Sequence, residues 1–178
     1  MNPTAKNISS KKSWGGIRAP WIGVKNAWKL FNSLGFIDDK TFSRISKISS
    51  VGWSEEFAKE TYSNISKNSI YITNLSKSTQ LDARPLSDSI FRNYLELFKK
   101  EIGILKPRII ITFGNQVSSI IIGKKIAVSK YRKKCEEINI NGFDYLVFPV
   151  FYPVGQGTRN MPIARDDIKW ILKNKLPY

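Results

Sequence analysis

Histidine is absent from this 178-residue chain, and cysteine occurs once, at Cys135. Without an imidazole there is no Ser-His-Asp triad and no Cys/His zinc cluster, and a single thiol excludes an internal disulfide. Acidic residues are also scarce: 14 Asp and Glu face 29 Lys and Arg, leaving a net charge of +15. No apolar run approaches the roughly 20 residues needed to cross a bilayer, and no basic-then-apolar leader opens the chain. The chain therefore reads as soluble and as working in the cytoplasm or nucleoid, or in a nucleus if the source has one. No internal repeat, Pro/Gly linker or low-complexity block marks a boundary, and at about 150 residues per domain the length fits one domain spanning residues 1–178. A composition of 42% hydrophobic and 12% aromatic residues is enough to build a core.

The positive excess suits a polyanionic partner, because lysines and arginines that neutralise phosphates release counterions whatever the base sequence. Nucleic acid is the leading partner. An anionic membrane surface competes with it, and a general lysine bias in the source proteome is the plain alternative.

The first thirteen residues are polar and turn-prone. Val24, Ala27, Trp28, Phe31 and Leu34 recur at helical spacing, with Gly35 as a stop. Ser54 is placed to cap a second helix through about Tyr62, and the stretch between the two helices reads as irregular. The β-branched and aromatic run Ser69–Asn74 predicts a strand, and residues 75–84 a polar loop. Ser87 is placed to cap one long helix to Ile102, with Gly103 near its end, and Pro107 excludes further helix. Residues 108–113 are almost continuously apolar, as in a parallel strand covered on both faces, and Gly114 turns the chain into a helix over residues 116–122. Residues 136–140 and 143–150 flank Asn141-Gly142, a strong hairpin signal. A Gly-rich loop over residues 154–160 precedes a closing helix opened by Pro162. This alternation argues an α/β fold with a mostly parallel central sheet.

In open α/β sheets ligands sit beyond the carboxyl ends of the strands. Three segments fall at such positions: Met1-Asn2-Pro3-Thr4, residues 71–77 (Tyr-Ile-Thr-Asn-Leu-Ser-Lys) and residues 151–160 (Phe-Tyr-Pro-Val-Gly-Gln-Gly-Thr-Arg-Asn). Their order and spacing resemble the uracil-DNA glycosylase superfamily, closest in motif style to its mismatch-specific and single-strand-selective branches. The resemblance takes in residues 106–114 and the closing Arg-Asn-x-x-Ile-Ala-Arg-Asp-Asp segment. It implies a single-domain, three-layer α/β/α fold acting on DNA as a monomer, with no metal, no organic cofactor and no membrane.

Residue by residue, the resemblance implies that Asn2 positions the attacking water. An amide can orient a water although it cannot deprotonate one, which suffices where the glycosidic bond breaks first. Asn74 matches the residue that pairs with the edge of an extruded base, for which a side-chain amide supplies one acceptor and two donors. Trp21 lies near the family's base-stacking aromatic, with Trp14 as the other candidate. Tyr152-Pro153-Val154 stands where the family has His-Pro-Ser. Tyr152 would donate a phenolic hydrogen bond to the departing base, with a different reach and no cationic form. Gln156, Thr158 and Arg159 would form a loop that wedges into DNA, and Lys77 would contact phosphate. Each has a plainer alternative: a turn for Asn2, an Asx turn for Asn74, a core ring for Trp21 and a solvated loop for residues 154–160.

The function implied is hydrolysis of the N-glycosidic bond of a deaminated base in DNA repair. A catalytically silent nucleic-acid-binding relative is the first alternative, favoured by the missing histidine. A nucleotide-binding α/β module is the second, although neither G-x-G-x-x-G nor a P-loop is present. In the resembling family the Asn-Pro motif follows an apolar first strand, which has no counterpart here. Either Met1 is an internal methionine, with roughly five to eight apolar residues encoded in frame upstream, or the chain is rearranged without that strand.

Overall fold

The computed structural model describes residues 21–49, 52–77 and 86–176. The chain divides into two compact units, residues 1–85 and 86–178.

Among the described residues of the first unit the regular elements are three helices: α1 (Lys25–Ser33), α2 (Asp39–Lys47) and α3 (Glu55–Ser66). Helix α1 follows the predicted spacing and buries Ala27, Trp28, Leu30 and Phe31. Ser54 caps α3 as its position predicts, accepting the Phe57 N–H at 3.1 Å, and the helix runs a turn past Tyr62. Helix α2 replaces the expected irregular stretch. Asp38 starts it by accepting the Thr41 N–H at 2.7 Å, which also holds the Asp38 carboxyl below its usual pKa. The Asp38 carboxylate accepts the Asn64 amide at 2.6 Å, so the same residue ties α2 to α3. An aromatic cluster fills this unit. Trp28 is fully buried, with Trp53, Phe31 and Tyr62 rings centred 5.7–5.8 Å away.

The predicted strand at residues 69–74 does not enter the described sheet. Ser69 leaves α3 at φ +56°, a left-handed turn rather than an extended entry, and residues 70–74 run on without strand pairing. Local propensity alone does not make a strand, because what it measures is fit to a pleated, paired neighbour.

The second unit contains α4 (Asp88–Arg92), α5 (Leu95–Leu105), β1 (Ile109–Phe113), α6 (Asn115–Ile122), β2 (Glu136–Ile140), β3 (Phe143–Val150) and α7 (Met161–Lys175). One long helix was expected where α4 and α5 stand. The ladder changes at Tyr94, whose N–H bonds Phe91 O rather than continuing the four-residue pattern. Ser87 makes no side-chain cap bond, its hydroxyl pairing with Ser89 at 2.8 Å. Gly103 lies inside α5, and Lys106 provides the left-handed stop at φ +46°, directly before Pro107.

The sheet order is β1-β3-β2. Strand β1 pairs with β3 in parallel, Ile111 opposite Phe148, and β2 pairs with β3 antiparallel, Ile138 opposite Tyr145. The described sheet is therefore mixed, not mostly parallel. Asn141 and Gly142, at φ +54° and +84°, make the tight hairpin turn that their sequence predicts. Strand β2 pairs only with residues 143–147, so the missing N–H of Pro149, further along β3, costs that ladder nothing. Val147, Phe148 and Val150 are buried with Ala164, Ile168 and Ile171 of α7. Arg132 Nε donates to both carboxylate oxygens of buried Asp167, at 2.9 and 2.7 Å, fastening the 131–134 loop to α7.

Candidate functional site

In the first unit, two residues singled out in sequence 53 positions apart are in direct contact. The Trp21 indole N–H donates to Asn74 Oδ1 at 3.1 Å. Trp21 itself is closely held. Its ring lies parallel to Phe31, centroids 5.2 Å apart and planes 5° from coplanar. Its carbonyl accepts the Trp28 indole N–H at 3.0 Å and the Val24 backbone N–H at 3.0 Å. Its backbone sits at φ +71°, a left-handed conformation that is strained for a bulky side chain and persists only where the surroundings impose it. Trp21 and Asn74 are both half-buried, so a flat, polar-edged ligand can reach them. The nearby Lys77 ammonium donates to the Thr73 hydroxyl, beside Asn74. Leu75 and Ser76, between Asn74 and Lys77, are buried and anchor the segment.

The second unit positions Tyr152 by backbone fit. The N–H of Gly114, the residue after β1, donates to Val150 O at 2.8 Å, joining the carboxyl ends of parallel β1 and β3. Gly114 sits at φ +85°, and a Cβ there would lie 3.4 Å from Tyr152 Cβ. At Gly157 the approach is tighter: a Cβ would fall 1.9 Å from the Tyr152 carbonyl oxygen, so no side chain fits without moving the backbone. A buried hydroxyl relay braces the same turn. Ser118 Oγ donates to Gly114 O at 2.7 Å and stands 2.8 Å from Thr112 Oγ1. Since the serine has one hydroxyl proton, the threonine is the donor between the two.

Tyr152 is 44% exposed, open to a ligand, while partial burial pushes its phenol above the usual pKa. The hydroxyl therefore stays protonated, a neutral donor, to higher pH than a free tyrosine. Residues 155–160, expected as an irregular loop, form a turn of 3-10 helix leading into α7. That turn carries Gln156, half-buried Thr158 and exposed Arg159.

Asn2 and Trp14 lie outside the described residues, as does the question of a strand before Met1. Sequence reasoning missed Gly114 and Gly157 as the residues that fit around Tyr152, and missed the bond from Trp21 to Asn74. The only signal for the glycines was their place beside strand ends, and no local pattern signals a bond across 53 positions. Among the described residues no three of Cys, Asp and Glu group as a metal site, and no helix is long and apolar enough to cross a membrane.

Residues 20–170 match the family described as the uracil DNA glycosylase superfamily, and the chain belongs to that superfamily. Its fold is accordingly α/β. It is also similar to the type-4 uracil-DNA glycosylase of Saccharolobus solfataricus, 29% identical over 105 residues, covering 57% of this chain and 48% of that protein. The matched stretch thus spans about half the length of the curated relative.

Proposed function

We propose that this protein binds DNA and hydrolyses the N-glycosidic bond of a deaminated base, with uracil the first candidate. The observation that carries the reading is the bond between Trp21 and Asn74, an aromatic ring and an amide edge held together within a chain of this superfamily. Asn74 reads the base edge, and Trp21 offers a ring for stacking, an interaction of about 1–3 kcal/mol per base. Tyr152 donates its phenolic hydrogen to the base oxygen as charge develops there. Asn2 positions the water. Lys77, Gln156, Thr158 and Arg159 engage the DNA, with Arg159 filling the gap left by the extruded base. The reading treats residues 1–178 as one functional domain acting as a monomer in the cytoplasm or nucleoid, and it uses no metal or cofactor.

The test is incubation with labelled oligonucleotides carrying uracil, hypoxanthine or xanthine, single-stranded and mispaired, followed by alkali. Strand breaks at one of these bases support the reading, and none at any of them rejects it. A second reading, a catalytically silent DNA-binding relative, is favoured by Tyr152 standing where the superfamily motif has histidine, in a chain with no histidine at all. It predicts DNA binding without breaks. In either case affinity falls steeply between about 50 and 200 mM salt, because phosphate contacts dominate.

A further inference from the structure

We propose that Trp21 is a positioning residue whose indole N–H fixes which end of the Asn74 amide faces a bound base. The inference rests on the base-reading role proposed for Asn74 and adds the group that orients it. The oxygen and nitrogen of a side-chain amide are nearly equivalent in shape, so their order is set by their neighbours. Here the neighbour decides it. An indole N–H donates and cannot accept, so the amide atom 3.1 Å from it is the oxygen. A rotated amide would set NH2 against N–H, two donors facing each other.

The donor is itself fixed. The Trp21 carbonyl accepts the indole N–H of Trp28, a fully buried ring, and the Trp21 ring is stacked on Phe31. Two tryptophan N–H groups thus act in series: the first holds the Trp21 backbone in its left-handed conformation, and the second holds the amide. Phenylalanine at position 21 would keep a ring for stacking and lose the donor. Tyrosine could accept as well as donate, so it would not enforce one orientation.

With Oδ1 engaged by the indole, the NH2 group is the end of Asn74 available to donate. A donor there matches a ring carbonyl, such as O4 of uracil, and opposes an exocyclic amine in the same place, as in cytosine. Trp21 therefore contributes to base choice through Asn74 as well as through stacking.

The experiment compares wild type with Trp21→Phe by fluorescence anisotropy, on single-stranded oligonucleotides with one uracil or one cytosine at the same position. The readout is the ratio of the two affinities, from which any general loss of DNA binding cancels. The expected result is a roughly tenfold fall in the uracil-over-cytosine ratio, about 1.4 kcal/mol. A ratio unchanged within twofold overturns the proposal.

A second arm uses the free protein and Asn74→Ala, which leaves every aromatic ring in place. By 15N-resolved NMR, exchange of the Trp21 indole proton with water should quicken at least tenfold in the variant, and an unchanged rate overturns the positioning bond. A wild type that prefers neither base, together with quickened exchange, refutes base reading by Asn74 while upholding the bond. The two failures are thereby distinguished.

Discussion

In residues 21–77 the candidate groups are held by side-chain hydrogen bonds and ring contacts, whereas in residues 86–176 Tyr152 is held by the close fit of backbone around it. The first arrangement depends on which atoms donate: Trp28 to Trp21, and Trp21 to Asn74. The second depends on what is missing, a Cβ at Gly157, and on the left-handed turn that Gly114 makes at φ +85°. The two should fail differently. Loss of a donor frees a side chain to turn and leaves the core standing, while an added methyl forces the chain itself to move.

The largest effect is expected at Gly157. Gly157→Ala places a carbon against the Tyr152 carbonyl oxygen and should destabilise the protein by about 3 kcal/mol, the upper end of overpacking costs. The denaturant midpoint measures it. A shift below about 0.5 kcal/mol, ordinary for a surface change, would show that this loop tolerates side chains and would erase the contrast. Next is Asp167→Ala, which removes the buried partner of Arg132 in the same unit. Removing one member of a fully buried pair costs about 3–5 kcal/mol. Because Arg132 is 42% exposed and can turn to water, about 2 kcal/mol is expected here.

Smaller effects should separate two tyrosines whose phenols burial pushes up in pKa. Tyr62, half-buried with its ring edge-on to Trp28, is raised well above the usual value; Tyr152 is raised less and is more exposed. The folded state favours the neutral phenol of Tyr62. Its contribution to stability is complete below the unfolded pKa of about 10 and is lost as pH rises through the folded value. Unfolding should therefore become easier above about pH 10, and Tyr62→Phe should flatten that alkaline limb. An alkaline limb identical in the variant would place the titration elsewhere. Tyr152→Phe is expected instead to slow single-turnover base release at least tenfold, less than the roughly hundredfold or more for a fully enclosed oxyanion donor because Tyr152 is partly exposed. An unchanged rate would remove Tyr152 from the chemistry. The smallest effect is Ser54→Ala, which deletes the α3 cap and should cost about 1 kcal/mol in thermal or denaturant unfolding.

The contrast also separates what was legible in the sequence from what was not. Elements whose signals are local came through: the Asn141-Gly142 hairpin, the Ser54 cap, the α1 periodicity and the turn at Gly114. Helix α2 also carried local signals, Asp38 as cap and Ile37, Thr41 and Ile45 at four-residue spacing, but they are sparse among polar residues. The β-branched run 70–73 misled because strand formation depends on a partner that propensity does not supply. The split between α4 and α5 turns on a single backbone hydrogen bond at Tyr94, which side-chain periodicity does not reveal. At the candidate site, Asn74 was found at the end of an expected strand and Trp21 through the family resemblance, but their bond was not. Whether a tryptophan edge meets an amide or a ring across 53 positions is decided by packing between distant segments.

The central claim is that this superfamily member reads a deaminated base through Asn74 and releases it. Its most direct test is alkaline cleavage of a single-stranded oligonucleotide carrying one uracil among normal bases, after single-turnover incubation with wild type and with Asn74→Ala. The account predicts breakage at the uracil alone with wild type, and with Asn74→Ala a rate at least tenfold lower, the scale of one lost base-edge contact of about 1–3 kcal/mol. Intact strands with wild type, or equal cleavage by both proteins, would contradict it.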